Sequence, residues 1–408
     1  MDSEKRWSDL PDHIVINILS YLPLTDRCSA SLTCKNWYEC FDDPTLWRRF
    51  TFHFKNDQDT GQLQCLARHG RQLRVVKIYL NQQELVNRQN ACEVLTGLAR
   101  CSDRRLEELS VTFTTENPLF FQGLEFLSSL AELFGPPDPG TKMVSTLTKV
   151  DLSGLSVTYR DNLLYLLADN HPNLQVLNLQ NTSLMCFINP ECMHIVVKKC
   201  PKINSLSMHY RSASEELFAE LSDQTRTPLN YLSLACNREE KYHKVIPADS
   251  WKSLVRRHKH LRVCMKFDHT IERHRILTIL DPQIPLVELH MRTMTELHDE
   301  VSIVALYYHK TLEYLAIVTK GSDELKRVLL HLVEQSPRLH TLHCYCALDE
   351  VTIDRIRALR PQLKKYTLKT AEEFDLLVPT LTDLKECVES LSSKWLASGR
   401  ARYRAPPP

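Results

Sequence analysis

Glycine is scarce here, nine residues in 408, and no GxxxxGK[ST] or GxGxxG occurs. The loops that cradle nucleotide phosphates need glycine at those spacings, so the common nucleotide-binding fingerprints are excluded. Net charge is almost absent as well, with Lys+Arg 51 against Asp+Glu 50. Nucleic-acid binders show a basic excess or stripe; Lys394 to Arg404 and the run Arg256 to His260 are basic only locally, so no nucleic-acid partner is expected. No apolar run approaches the ~20 residues of a membrane helix, and no membrane partner is expected. The start, MDSEKRWSDL, lacks the apolar core of a secretory signal, which implies cytoplasmic and/or nuclear residence. In those compartments the fourteen cysteines should be free thiols. No CxxC and no HExxH occurs, and Cys344 and Cys346 alternate as buried small apolar residues would. No catalytic residue, metal site or cofactor is expected. The sequon at Asn181 should be unused for the same reason of compartment.

The stretch Ser8 to Leu22 opens like a helix, with Pro11 placed for a first turn and Asp12 near the positive helix end. At about 100° per residue, Ile14, Val15, Ile16, Ile18, Leu19, Tyr21 and Leu22 cover most of the circumference. His13, Asn17 and Ser20 leave only a narrow polar strip. A surface helix needs an apolar stripe of roughly 100° to pack on its own core; this one has about twice that. It should be buried on two sides, one by its own domain and one by something else; that the segment is only the N-terminal cap of the following domain is the alternative. Short helices follow through Cys40, and Pro44 to Trp47 closes the segment. A unit this small rarely has a core that is stable alone.

Leu10-Pro11, the run Ile14 to Leu22, Pro23-Leu24, Asp26-Arg27, Ser31-Leu32, Cys34-Lys35, Trp37 and Leu46-Trp47 resemble the F-box pattern through its whole length. Two positions depart from it: His13 stands where Glu is usual and Thr33 where Val is usual, placing a hydroxyl near the small core. The resemblance implies a three-helix F-box over 5–52 whose partner is the Skp1 adaptor, and through it cullin and RING subunits. It implies Skp1 contacts at Leu10, Pro11, Ile14, Val15, Ile18, Leu19, Leu22, Leu24, Cys34, Trp37, Leu46 and Trp47.

From residue 73 a phrase returns: two apolar residues two apart, preceded by another three earlier. It occurs ten times, from Leu73/Val76/Ile78 through Leu174/Leu177/Leu179 and Leu312/Leu315/Ile317 to Leu363/Tyr366/Leu368. The later units are spaced by about 24 to 29 residues, within the range of leucine-rich repeats. Helical patterns fill the gaps. In Ser322 to Ser336 a capping serine precedes Leu325, Val328, Leu329, Leu332 and Val333 at helical spacing, and Pro337 stops the run. Between Leu261 and Phe267 the phrase fails, because Lys266 stands at an apolar position; a bulge or irregular strand is expected there. Pro118 to Met143 is an insertion holding an apolar run, Phe120 to Phe134, and then a Gly/Pro loop.

The expected fold class is α/β: an F-box over 5–52, a linker helix over 53–72, and a leucine-rich-repeat solenoid of ten to eleven irregular repeats over 73–380. Parallel strands would line its concave face and helices its convex face. Residues 381–408 should be a C-terminal helix and a disordered basic, proline-ended tail. With the phrase residues pointing inward, Tyr79, His209, Tyr231, His290, Arg292, Tyr314, His343, Tyr345, Lys365 and Lys369 face outward, and that row is the candidate surface for a protein substrate. The whole arrangement is similar to the F-box/LRR family of ubiquitin-ligase substrate receptors. The resemblance implies a non-catalytic receptor that binds Skp1 by its F-box and a protein by its repeats; a binding scaffold outside the ligase is the alternative.

Overall fold

The computed structural model describes residues 7–101, 103–115, 123–136, 145–181, 186–237 and 244–370. They form two compact units, Met1–Ala235 with Ile246–Leu261, and Cys236–Val245 with Arg262–Pro408.

The first unit opens with helices α1 (Asp12–Tyr21), α2 (Leu24–Ser31) and α3 (Lys35–Phe41). Pro11 and Pro23 stand at the N-caps of α1 and α2 with extended ψ. Pro11 thus precedes the first turn and does not enter it. Carbonyls at a helix end need outside donors, and Arg27 supplies them for α1. Its guanidinium donates to the carbonyls of Leu19 (3.1 Å), Leu22 (3.2 Å) and Leu46 (2.9 Å), tying α1 to the short turn Pro44–Trp47.

The chain then runs into strand β1 (Arg49–Phe54), helix α4 (Leu63–His69) and strand β2 (Val75–Leu80). β1 and β2 pair in parallel over six residues. The sheet therefore starts at Arg49, well before the first phrase at Leu73, and residues 53–72 hold the end of β1 besides a helix. The phrase misses β1 because Phe50, Phe52 and Phe54 fill the core by simple alternation, all three buried.

The repeats of this unit continue as α5 (Leu85–Arg100), β3 (Glu108–Phe113), α6 (Leu124–Phe134), β4 (Lys149–Asp151), α7 (Asp161–Asn170), β5 (Val176–Asn178), α8 (Pro190–Lys199), β6 (Ser205–His209), α9 (Glu215–Leu221), β7 (Tyr231–Cys236) and α10 (Ala248–Arg257). The strands from β1 to β7 are neighbours in sequence order and all pair in parallel. The register stacks the middle residue of each phrase into one buried ladder: Val76, Leu109, Val150, Leu177, Leu206 and Leu232. From the insertion, α6 is described; Pro118 to Gln122 and Pro137 to Met143 lie outside the described residues. Gly123 precedes α6 with φ +90, and a Cβ there would meet Val157 Cγ1 at 2.6 Å.

The second unit repeats the scheme with β8 (Arg262–Phe267), α11 (Arg273–Ile279), β9 (Leu286–Arg292), α12 (His298–Tyr308), β10 (Tyr314–Val318), α13 (Asp323–Gln335), β11 (Thr341–Leu348), α14 (Glu350–Leu359) and β12 (Lys365–Thr370). Its ladder runs Met265, Leu289, Leu315, Leu342, Tyr366. α13 starts at the expected serine, whose hydroxyl accepts from Leu325 N–H at 3.1 Å. The irregular strand is found as well: β8 slips register between Val263 and Cys264. Val263, Met265 and Phe267 then face the core and Lys266 does not. Ten phrases plus β1 and β8 account for the twelve strands among the described residues. The stretch expected as the tail, 381–408, lies outside them.

Arginines recur as fasteners of helix ends. Arg104 donates to carbonyls of Ala99, Leu133 and Gly135, and Arg360 to those of Val333 and Glu334. Arg226 is buried and donates to Val197 (2.6 Å) and Cys200 (3.0 Å) while pairing with Glu220 at 3.2 Å. Removing a buried cationic donor leaves its acceptors unsatisfied. Arg226→Ala should therefore cost on the order of 2–4 kcal/mol, read as a lower urea midpoint for the first unit. A midpoint unchanged within error would contradict this role for Arg226.

Candidate docking face and sheet surface

Helix α1 divides its apolar residues between two sides. Val15 and Leu19 are wholly buried in the segment's own core, while Ile14 is 39% exposed and Tyr21 81% exposed. Ile16, Ile18 and Leu22 are half-buried between them. The next helices add Leu24, Leu32 at 80% and Tyr38, and Trp7 stands 73% exposed in the turn before α1. Six of the sixteen large exposed apolar side chains among the described residues thus come from residues 7–38. Scattered singly such residues need no explanation, but this density within one small segment marks an interaction face.

Polar contacts hold that face in shape. Asn36 Nδ2 donates to the carbonyl of Leu10 at 2.8 Å, and Trp37 Nε1 donates to that of Trp7 at 3.2 Å. The leading turn is thereby fixed against α3. Thr33 departs from the expectation of a hydroxyl near the core: it is exposed, and its hydroxyl donates to the carbonyl of Ala30 at 2.7 Å. His13 is exposed, with Asp12 still in the first turn.

Eight of the twelve expected contact residues are accessible: Leu10, Pro11, Ile14, Ile18, Leu22, Leu24, Cys34 and Trp37. The other four, Val15, Leu19, Leu46 and Trp47, are buried inside the chain and form its core, not a contact surface. Trp47 is the clearest case. Its Nε1 donates to the carbonyl of Phe41 at 2.7 Å, and its ring lies 3.8 Å over His69 and 5.0 Å edge-on from Phe41. It fastens the helical segment to the first repeat. Burial in that stack lowers the pKa of His69. Trp7, Leu32 and Tyr38 are exposed apolar residues that a helical wheel of α1 could not show, while Tyr21 was on that wheel but not among the expected contacts.

On the sheet surface the ten expected residues separate. In the first unit Tyr79 stacks on His53 at 5.3 Å, Tyr231 is half-buried, and His209 is buried and so withdrawn from that surface. In the second unit the structure gathers a row. The rings of His290 and Tyr314 lie 4.7 Å apart, Tyr314 and His343 5.6 Å, and His343 and Tyr345 6.3 Å. Arg292 and Lys365 are exposed; the side chain of Lys369 lies outside the described residues. Glu288 accepts from His290 Nε2 at 2.7 Å, and that hydrogen bond holds its carboxyl below the usual carboxylate range. Burial lowers the pKa of His343 and raises that of Tyr314. Sequence reasoning did not place Glu288 beside this row, nor Cys264, which lies fully buried beneath it between Val263 and Met265.

No helix among the described residues is long and apolar enough to cross a membrane. Residues 7–53 match the F-box-like family. The chain is 26% identical to F-box/LRR-repeat protein 8 of Homo sapiens, a likeness that covers 91% of this chain and 98% of that one. The same protein of Mus musculus is 26% identical over 91% of this chain and 98% of its own length. F-box/LRR-repeat protein 21 of Mus musculus is 27% identical, over 64% of this chain and 59% of that one. The chain thus holds an F-box-like domain followed by parallel strand–helix repeats, and over nine-tenths of its length it is similar to F-box/LRR-repeat protein 8.

Proposed function

We propose that this chain is the substrate-receptor subunit of a Skp1–cullin–F-box ubiquitin ligase. The exposed apolar side of the α1–α3 segment would dock the Skp1 adaptor, and the repeats would hold the protein to be ubiquitinated. One observation carries the reading: the helix that buries Val15 and Leu19 inward leaves Ile14 and Tyr21 open to solvent. A face of that kind stays soluble in the cell when a constant partner covers it. The receptor needs no chemistry of its own. Holding a substrate and a charged ubiquitin carrier in one complex raises the effective concentration of substrate lysines.

The test is affinity purification of the tagged full chain from cells, beside the double variant Ile14→Asp/Leu32→Asp. Cullin and RING subunits should co-purify with the natural chain and be lost from the variant. Some proteins bound by both should turn over faster only with the natural chain. Retention of the adaptor without cullin, and with no protein's half-life changed, would instead indicate a binding scaffold outside the ligase.

A further inference from the structure

The slip in β8 has a chemical consequence. It pairs Val263 with Leu286 but Cys264 with Glu288, skipping one residue of β9. Cys264, itself fully buried, and Glu288 therefore stand side by side, with His290 two residues further along the same face of β9. The thiol sulfur, a carboxylate oxygen and a ring nitrogen of these three all lie within 4.8 Å of one another. Theirs is the one such cluster of three among the described residues.

We propose that Cys264, Glu288 and His290 bind a zinc-type divalent cation on the sheet surface of the second unit. Three observations support it. The donors are sulfur, nitrogen and oxygen, a set that suits borderline-soft zinc and not the all-oxygen preference of magnesium or calcium. The distances fit with little motion: zinc–ligand bonds of about 2.0–2.3 Å set tetrahedral donors roughly 3.3–3.8 Å apart. His290 and Glu288 are already within 2.7 Å, so a cation between them separates that pair slightly and draws the sulfur in. Finally, the backbone under the cluster is rigid, because two of the donors are locked in register on paired strands and the third is on one of them.

Three protein donors leave a fourth position for water or for a donor that a bound molecule brings. Tyr314, whose ring stands 4.7 Å from His290, borders the cluster. Lys266 and Arg292 share the surface and oppose a cation, but both carry their charge on long side chains that can swing away. A metal-free cluster, in which the Cys264 thiol and His290 both hydrogen-bond the Glu288 carboxylate, accounts for all three groups as well; it keeps the thiol protonated whereas a bound cation takes a thiolate, so the state of the sulfur decides between the two readings.

The full chain is titrated with cobalt(II) as a coloured stand-in and with zinc against a chromophoric chelator. The natural protein should show a thiolate-to-cobalt charge-transfer band that zinc abolishes. Cys264→Ser should lose that band and one equivalent of zinc, and Glu288→Gln should weaken zinc binding at least tenfold. Cys344→Ser, away from the cluster, should behave as the natural chain. His290→Ala replaces a side chain that is not fully buried and covers the case in which Cys264→Ser fails to fold. Equal zinc stoichiometry and an unchanged cobalt spectrum in His290→Ala would overturn the site, as would a natural chain that binds neither metal. The proposal is independent of the ligase reading, since no adaptor enters the measurement.

Discussion

Ile14→Asp is expected to weaken binding to the Skp1 adaptor by at least a hundredfold, and Leu32→Asp by a similar factor, with no change in the fold. A hundredfold corresponds to about 2.8 kcal/mol, within the range of a hot-spot side chain at a packed interface. The aspartate would be desolvated against an apolar partner with no cation placed to receive it. In the free chain each residue already meets water, Leu32 at 80% exposure, so the unfolding midpoint should move little. Val15→Ala gives the opposite signature. That side chain is fully buried, and its loss should lower stability by roughly 2–3 kcal/mol before it affects docking directly. Isothermal titration with purified adaptor, paired with urea unfolding of each variant, separates the two classes. Binding of Ile14→Asp within threefold of the natural chain would contradict the assigned face.

Trp47→Ala has the second large effect, and it is on stability. The indole is 3% exposed and packs on His69, Phe41 and Phe50 at once. Truncating a buried tryptophan costs about 3–5 kcal/mol, cavity included. Its Nε1 partner, the carbonyl of Phe41, is left without that donor. Because the stack joins the helical segment to β1 and α4, the loss should loosen this junction ahead of the rest of the unit. Limited proteolysis should then cut between α3 and β2 in Trp47→Ala at protease levels that leave the natural chain whole. Trp37→Ala is the contrast: that ring is half-buried, and its change should reduce adaptor binding while sparing the cleavage pattern. Equal protease resistance in Trp47→Ala and the natural chain would remove Trp47 from the junction.

The repeats were legible because their side chains must satisfy a period. A strand that faces the core with alternate residues and is followed by an amphipathic helix leaves the same phrase each time. Even the exception was legible, since Lys266 cannot take a core position and β8 slips to avoid it. β1 was not, because its three phenylalanines satisfy the core without leucine spacing. The surplus of apolar area on α1 was legible, and Ile14 and Tyr21 are indeed exposed, but the split of its residues was not. Which residue of a two-sided helix turns inward depends on where α3 and the turn at Pro44–Trp47 pack, and that is tertiary information. Val15, Leu19, Leu46 and Trp47 were placed among the contacts for this reason, and the exposed Trp7, Tyr21, Leu32 and Tyr38 were left out of them. The sheet surface shows the same limit: parity along a strand says which face a residue takes, while the slip that sets Cys264 against Glu288 is seen only in the pairing.

Amide hydrogen exchange of the full chain, alone and with purified Skp1 adaptor, puts the most direct question to the docking claim. Peptides spanning 7–41 should gain protection when the adaptor is present, and those covering β2 and β10 should exchange as before. Failure of the two proteins to co-elute, or protection that appears in the repeats and leaves 7–41 unchanged, would contradict it.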